Sequence, residues 1–199
     1  MIRTVCVYCG SSDRVAAHYL AAARQMGAAL AQRGMRLVYG AGKTGLMGAV
    51  ADGALQAGGE VIGVIPRLFL TPQLAHQNLT RLEVVESMHQ RKALLAEMAD
   101  AFIALPGGYG TFEEFFEILT WAQIGLHAKP IGLLNASRYF DPLLSLVEHA
   151  CREGMIYDLH RSLFVHAESP EALLTALVDH QSPPGLEAWW LRNETDTNK

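Results

Sequence analysis

The sequence predicts an α/β protein: a Rossmann-like doubly wound sheet, mostly parallel, with helices on both faces. Three observations carry that expectation. Apolar runs of strand length alternate with helical patterns along nearly the whole chain, the rhythm of successive βαβ units. Central runs such as Thr4-Val5-Cys6-Val7-Tyr8 and Ala101-Phe102-Ile103-Ala104-Leu105 are apolar without strict alternation, as strands covered on both faces are. Three glycine-bearing turns lie at the end of the sheet where ligands of such folds sit: Cys9-Gly10-Ser11-Ser12, Gly40-Ala41-Gly42-Lys43-Thr44-Gly45 and Gly107-Gly108-Tyr109-Gly110-Thr111.

In chain order, a strand at 4–8 leads to a helix at 15–33 and a second strand at 36–39. A glycine turn then opens a helix at 44–57, and a third strand follows at 61–65. The stretch 66–81 has two prolines and no clear period, so it reads as a loop able to serve as a lid or a substrate wall. A strand at 82–85 precedes a helix at 88–99 that Ser87 can cap. A strand at 101–105 runs into the third glycine turn and a helix at 111–125. Strand 130–134, helix 139–153, a weak strand at 163–165 and helix 170–179 complete the pattern. One domain, 1–180, is expected, with 181–199 as a tail in which Pro183-Pro184 and a polar end leave the core. Trp189-Trp190 in that tail packs back on the body or on a second subunit.

A formal net charge of −4 argues against nucleic acid or an anionic membrane as partner, since both attract basic surfaces. No apolar run reaches the roughly 18 to 20 residues that span a bilayer. Met1-Ile2-Arg3-Thr4-Val5 goes directly into a strand without a leader pattern, so the cytoplasm is the expected compartment. Three cysteines are too few for a disulfide framework. Cys6 and Cys9 have redox-pair spacing, but they sit in or beside a strand rather than at a helix N-terminus, where a thiolate would be stabilised. No histidine or cysteine pair has metal-ligand spacing, so neither metal nor cofactor is expected.

The most informative segment is Leu105-Pro106-Gly107-Gly108-Tyr109-Gly110-Thr111-Phe112-Glu113-Glu114. Strand, glycine turn and helix in succession direct bare N–H groups and a helix N-terminus at one spot, which is a seat for phosphate. Glu114 places a carboxylate beside it, which suggests chemistry on a phosphorylated small molecule. Thr111-x-x-Glu114 also fits a capping box, but capping alone does not call for Gly107, Gly108 and Gly110. Gly40-x-Gly42-x-x-Gly45 matches the dinucleotide fingerprint by letter, yet the acidic residue expected at the end of the next strand is missing. A triphosphate loop fails too, because Leu37 stands where it needs a glycine. These glycines read mainly as packing positions, with one or two N–H groups facing a ligand. In Ser87-Met88-His89-Gln90-Arg91-Lys92, two cations in a first helical turn oppose the helix dipole unless an anion compensates. An anionic ligand would do so.

Met88-His89-Gln90-Arg91-Lys92 followed by Pro106-Gly107-Gly108-Tyr109-Gly110-Thr111-Phe112-Glu113-Glu114 resembles the paired signature of the LONELY GUY (LOG) family. Tyr8-Cys9-Gly10-Ser11-Ser12, Gly45-Leu46-Met47-Gly48 and Lys129-Pro130-Ile131-Gly132-Leu133-Leu134-Asn135 are also similar to family segments, so the likeness covers roughly 3–180. Its members are cytokinin riboside 5′-monophosphate phosphoribohydrolases, often misnamed lysine decarboxylases. The resemblance implies hydrolysis of the N-glycosidic bond of N6-modified AMP, or of AMP itself, to free base and ribose 5-phosphate. It ties Arg91 and Glu114 to catalysis, and Lys92, Gly108, Tyr109, Gly110, Thr111 and Thr120 to substrate, while Gly10, Ser11, Gly42, Met88 and Gly107 complete the expected binding set. It also implies a homodimer or larger assembly. Two positions depart from the family pattern: Gln73 stands for a usual glutamate and Ala41 for a usual glycine, which bears on substrate preference rather than on the catalytic pair. A pyridoxal-phosphate decarboxylase would need a Schiff-base lysine, and Lys43, Lys92 and Lys129 are poor candidates. The alternative is a nucleotide-binding carrier or sensor of similar fold that cleaves nothing.

Overall fold

A computed structural model describes residues 1–186; the Trp189-Trp190 pair lies outside the described residues. Among the described residues, seven strands form one sheet: β1 (Thr4–Tyr8), β2 (Arg36–Tyr39), β3 (Val61–Pro66), β4 (Arg81–Val85), β5 (Ala101–Ala104), β6 (Ile131–Leu134) and β7 (Val165–Ala167). Their spatial order is β4-β3-β2-β1-β5-β6-β7, and every pairing is parallel. The helices are α1 (Ala17–Gln32), α2 (Gly45–Gln56), α3 (Met88–Met98), α4 (Tyr109–Gln123), α5 (Asp141–Arg152) and α6 (Pro170–Asp179).

The missing alternation in the central strands has its cause here. Val5 and Val7 of β1 enter a core shared with α1, α2 and α6, whereas Cys6 and Tyr8 point into a second core with α4 and Leu95 of α3. β5 divides in the same way, Ala101 and Ile103 to one side, Phe102 and Ala104 to the other. Side chains alternate between faces, and both faces are dry. The redox spacing of Cys6 and Cys9 dissolves in this geometry, because the two thiols belong to opposite cores.

The chain winds outward from β1 to β4, then returns to the other side of β1 to lay down β5, β6 and β7. The strand order reverses between β1 and β5. Loops leaving their carboxyl ends therefore diverge and open a crevice.

Several elements differ from the sequence expectation. The helix predicted at 111–125 begins two residues earlier, at Tyr109, with Gly108 as its N-cap. The weak strand predicted at 163–165 lies at Val165–Ala167, because Leu163 is buried at the close of a short 3₁₀ turn, Asp158–Ser162. The helix predicted from 139 starts at Asp141, after the 3₁₀ turn Ala136–Arg138, in which Ser137 and Arg138 have φ of 51° and 61°. Between α6 and Leu186 the chain stays against the body, with Ser182 Oγ donating to Ala128 O and Leu186 buried in the second core.

Candidate active site

A cavity of about 540 Å³ opens at the carboxyl ends of β1 and β5. Gly10, Ser11 and Ser12 enter it from the turn after β1, Gly40 from the end of β2, and residues 106–111 from the turn after β5. Val15, Ala16, Tyr19, Leu46, Met47 and Tyr139 give it a largely apolar wall. Arg91 and Glu114 supply its charged groups.

The turn after β5 is built closely around its first glycine. A Cβ on Gly107 would fall 2.1 Å from Thr111 Oγ1 and 2.8 Å from Gly10 N, so no other residue fits. The Gly10 N–H donates to Pro106 O at 3.0 Å, joining the first and third glycine turns. α4 starts on this rim with no side-chain cap. The N–H groups of its first turn, on Tyr109, Gly110 and Thr111, have no carbonyl partner within their own helix, and the helix dipole adds a partial positive charge there. The capping box read from Thr111-x-x-Glu114 does not form. Thr111 is the third helical residue and lies buried over Gly107, and the Glu114 carboxylate turns toward Arg91 instead. The signal failed because the helix begins at Tyr109, with Gly108 as a cap that needs no side chain.

Arg91 rises from the first turn of α3, whose N-cap is Ser87 as expected, with Ser87 Oγ accepting from Gln90 N at 3.2 Å. Its Nε donates to Val64 O at 3.3 Å and its Nη1 to Glu114 Oε1 at 3.1 Å, while Met88 Sδ lies 3.2 Å from Nη1. The Arg91 and Glu114 side chains are only 13% and 11% exposed, so their pairing is largely desolvated. Burial pushes the Glu114 carboxyl up to about 6, against the opposing pull of Arg91. Near neutral pH it is mostly a carboxylate, held close to the point where it can exchange a proton.

Lys92 points elsewhere. It bonds Glu117 at 2.9 Å and also Glu113, both on α4. The anions expected to offset two cations at the start of α3 are therefore present within the protein: Glu114 for Arg91, and Glu113 with Glu117 for Lys92. These contacts fasten α3 to α4.

Of the residues singled out in the sequence, Arg91, Glu114, Gly10, Ser11, Gly107, Gly108, Tyr109, Gly110 and Thr111 meet around this cavity. Gly42, Met88, Lys92 and Thr120 do not line it. Gly42 pairs with Ala75, and its carbonyl accepts from the Tyr39 hydroxyl at 3.2 Å. The N–H groups of Leu46 and Met47 at the start of α2 are spent on Gly10 O, so Gly42 and Gly45 of the fingerprint-like turn serve packing. Gln73 is exposed and off the cavity wall. Sequence reasoning missed Gly40, Tyr19, Met47 and Tyr139. Gly40 was open to discovery, since it ends the strand beside β1; the other three converge only through long-range packing. The three described lysines are also away from the cavity: Lys43 Nζ bonds Pro72 O, Lys92 its glutamates, and Lys129 Nζ donates to Ala96 O at 2.8 Å. Among the described residues, no three His, Cys, Asp or Glu side chains gather as a metal site requires, and no helix is long and apolar enough to cross a membrane.

A family model described as possible lysine decarboxylase matches residues 47–177. The chain is 51% identical over 176 residues to a cytokinin riboside 5′-monophosphate phosphoribohydrolase of Rhodococcoides fascians, covering 88% of this chain and 89% of that protein. It is 42% identical over 191 residues to a protein of the same name from Arabidopsis thaliana, covering 94% and 90%. Among solved structures, a molybdenum cofactor binding protein from Rippkaea orientalis superposes with a TM-score of 0.68 at 24% identity, covering 90% of this chain and 96% of that one. A molybdenum cofactor carrier protein from Chlamydomonas reinhardtii gives 0.67 at 21%, covering 90% and 98%. At those identities the likeness is one of fold.

Proposed function

The chain belongs to the LONELY GUY family of cytokinin riboside 5′-monophosphate phosphoribohydrolases, and on that footing we propose that it hydrolyses the N-glycosidic bond of N6-modified AMP, or of AMP, releasing free base and ribose 5-phosphate. One observation supports this most: a buried arginine–carboxylate pair opens onto the same cavity as an uncapped helix N-terminus. The uncapped turn at 107–111 takes the 5′-phosphate, and its binding energy orients the ribose. The C1′–N9 bond then breaks, its electrons leave with the purine, and positive charge grows on the sugar. The Glu114 carboxylate stabilises that charge and orients a water toward C1′, taking one of its protons as the C–O bond forms. Arg91 fixes the carboxylate and steadies the charge on the departing base, which takes up a proton from solvent as Glu114 releases the one it accepted. The apolar wall formed by Val15, Tyr19, Leu46 and Met47 suits the purine and any N6 substituent.

Lysine decarboxylation does not fit these residues. A pyridoxal-phosphate enzyme needs a lysine amine beside the phosphate seat, and no described lysine reaches the cavity.

The decisive variant is Glu114→Gln, which keeps the side-chain shape and a carbonyl acceptor for Arg91. Chromatography after incubation with isopentenyl-AMP and with AMP is expected to show base release reduced by about 10²- to 10⁴-fold, with unchanged circular dichroism. Undiminished turnover would refute the role, and the ratio of the two wild-type rates gives the substrate preference.

We further propose that it acts in the cytoplasm as a homodimer. The three cysteines are free, as suits a reducing compartment. Leu68, Phe69, Leu70 and Met88 stand exposed near the carboxyl ends of β3 and β4, an apolar surface that a second copy would cover. Thr120 is exposed on α4 and off the cavity wall, so the substrate contact that family resemblance assigns to it calls for a partner subunit.

A further inference from the structure

Tyr139 was not marked by any local pattern, yet its hydroxyl donates to Gly107 O at 2.6 Å, in the first peptide of the anion-binding turn. A trans peptide is planar, so its C=O and the following N–H point in opposite directions. Holding the Gly107 carbonyl toward Tyr139 therefore fixes the direction of the Gly108 N–H. The ring is itself held from two sides, packing edge-on against Tyr19 at 5.6 Å and Phe140 at 5.1 Å.

The backbone that delivers Tyr139 is strained. Ser137 and Arg138, neither of them glycine, are consecutive left-handed residues immediately before it. Such a conformation persists only where its surroundings impose it. Asn135 supplies that constraint: its Oδ1 accepts from Phe140 N at 2.7 Å, and its Nδ2 donates to Asp141 Oδ1 at 2.8 Å. Arg138 Nε closes the turn onto Asp141 Oδ2 at 2.6 Å. A clamped, strained turn thus presents one hydroxyl to one carbonyl of the phosphate seat.

We propose that Tyr139 is a positioning residue: by anchoring the Gly107 carbonyl it aims the Gly108 N–H at the 5′-phosphate, and so sets the preference for phosphorylated over unphosphorylated ligands. This rests on the reading of 107–111 as the phosphate seat. Tyr139→Phe tests it, because the ring keeps its packing and loses only the hydroxyl. Calorimetric titration of ribose 5-phosphate and of adenosine into wild type and variant separates the possible outcomes. Ribose 5-phosphate is expected to bind the variant roughly three- to tenfold more weakly, with adenosine affinity and the melting temperature of the free protein unchanged. Equal weakening toward both ligands would mean general damage and overturn the proposal. Unchanged ribose 5-phosphate binding in the variant, with tight binding in wild type, would overturn it while leaving the phosphate seat intact. Failure of wild type itself to bind ribose 5-phosphate would overturn both.

Discussion

A methyl group on Gly40 would fall 1.7 Å from Arg91 Nη2 and 2.8 Å from Met47 Cε. Arg91 is fixed at Val64 O and at Glu114, so it can yield only by giving up those bonds. Because the obstruction is a side-chain end rather than backbone, Gly40→Ala is expected to displace the guanidinium and leave the fold standing. Base release should fall by about 10²-fold or more, with the melting temperature moving by only a few degrees; a fully active Gly40→Ala enzyme would show that Arg91 need not sit there. Glu114 carries a second expectation at this scale. Its carboxyl is raised to about 6, chiefly by burial, so the carboxylate form is lost as pH falls through that value. A phosphate monoester also titrates near 6, so the group must be read in the free enzyme. Carbon-13 NMR of glutamate carboxyls should show one resonance with a midpoint near 6 that vanishes in Glu114→Gln. The stability consequence runs the other way. A folded-state value above the unfolded one contributes stability below pH 4.5 that is lost as pH rises through about 6, some 2 kcal/mol in all. The site thus keeps a charged carboxylate at neutral pH at a cost to the fold.

At the scale of elements, short-range pattern revealed most strands and helices, because burial on both faces leaves uninterrupted apolar runs in β1, β3 and β5. It failed where tertiary contacts set the boundaries. α4 begins at Tyr109 because the turn must pack Gly107 beneath Thr111, and α5 is held back to Asp141 by the Asn135 clamp. The loop 66–81, expected as a lid or wall, is partly strapped down. Lys43 N donates to Leu74 O, His76 N to Ala41 O, and the His76 ring bonds Asp52 at 3.1 Å. No sequence period encodes such a strap. Strain in the turn before α5 gives a prediction. Ser137 has φ of 51° with an exposed side chain, so glycine there relieves a left-handed conformation without removing buried surface. Ser137→Gly is expected to stabilise the protein by about 0.5–1 kcal/mol, seen as a higher denaturation midpoint at an unchanged urea m-value. Ala41 is left-handed too, but its methyl is buried against Ile65 and Ala75, so the same exchange there would gain less.

For the whole molecule, strand order decides which residues meet in the candidate site. The arginine signature and the glycine–glutamate signature are separated in sequence by β5, and they meet because β5 returns beside β1 and carries α4 across to α3. Both signatures were legible as motifs; that they share one buried ion pair was not, since no local rule fixes which strand pairs with which. The same topology leaves Thr120 outside the cavity, and this makes the proposed homodimer testable by function as well as mass. Light scattering is expected to give twice the 21.7 kDa chain mass. If the partner subunit's α4 completes each site, Glu114→Gln and Thr120→Lys are each inactive as pure dimers for different reasons. Refolding them together in equal amounts yields hybrids in which one of the two sites joins an intact Glu114 to an intact Thr120. Random pairing makes half the dimers hybrid, so activity should recover to about one quarter of wild type. Sites confined to single chains cannot recover this way, because every chain in the mixture carries a defect. No activity above the sum of the separate variants would thus dismiss the shared site, even if the protein proved dimeric.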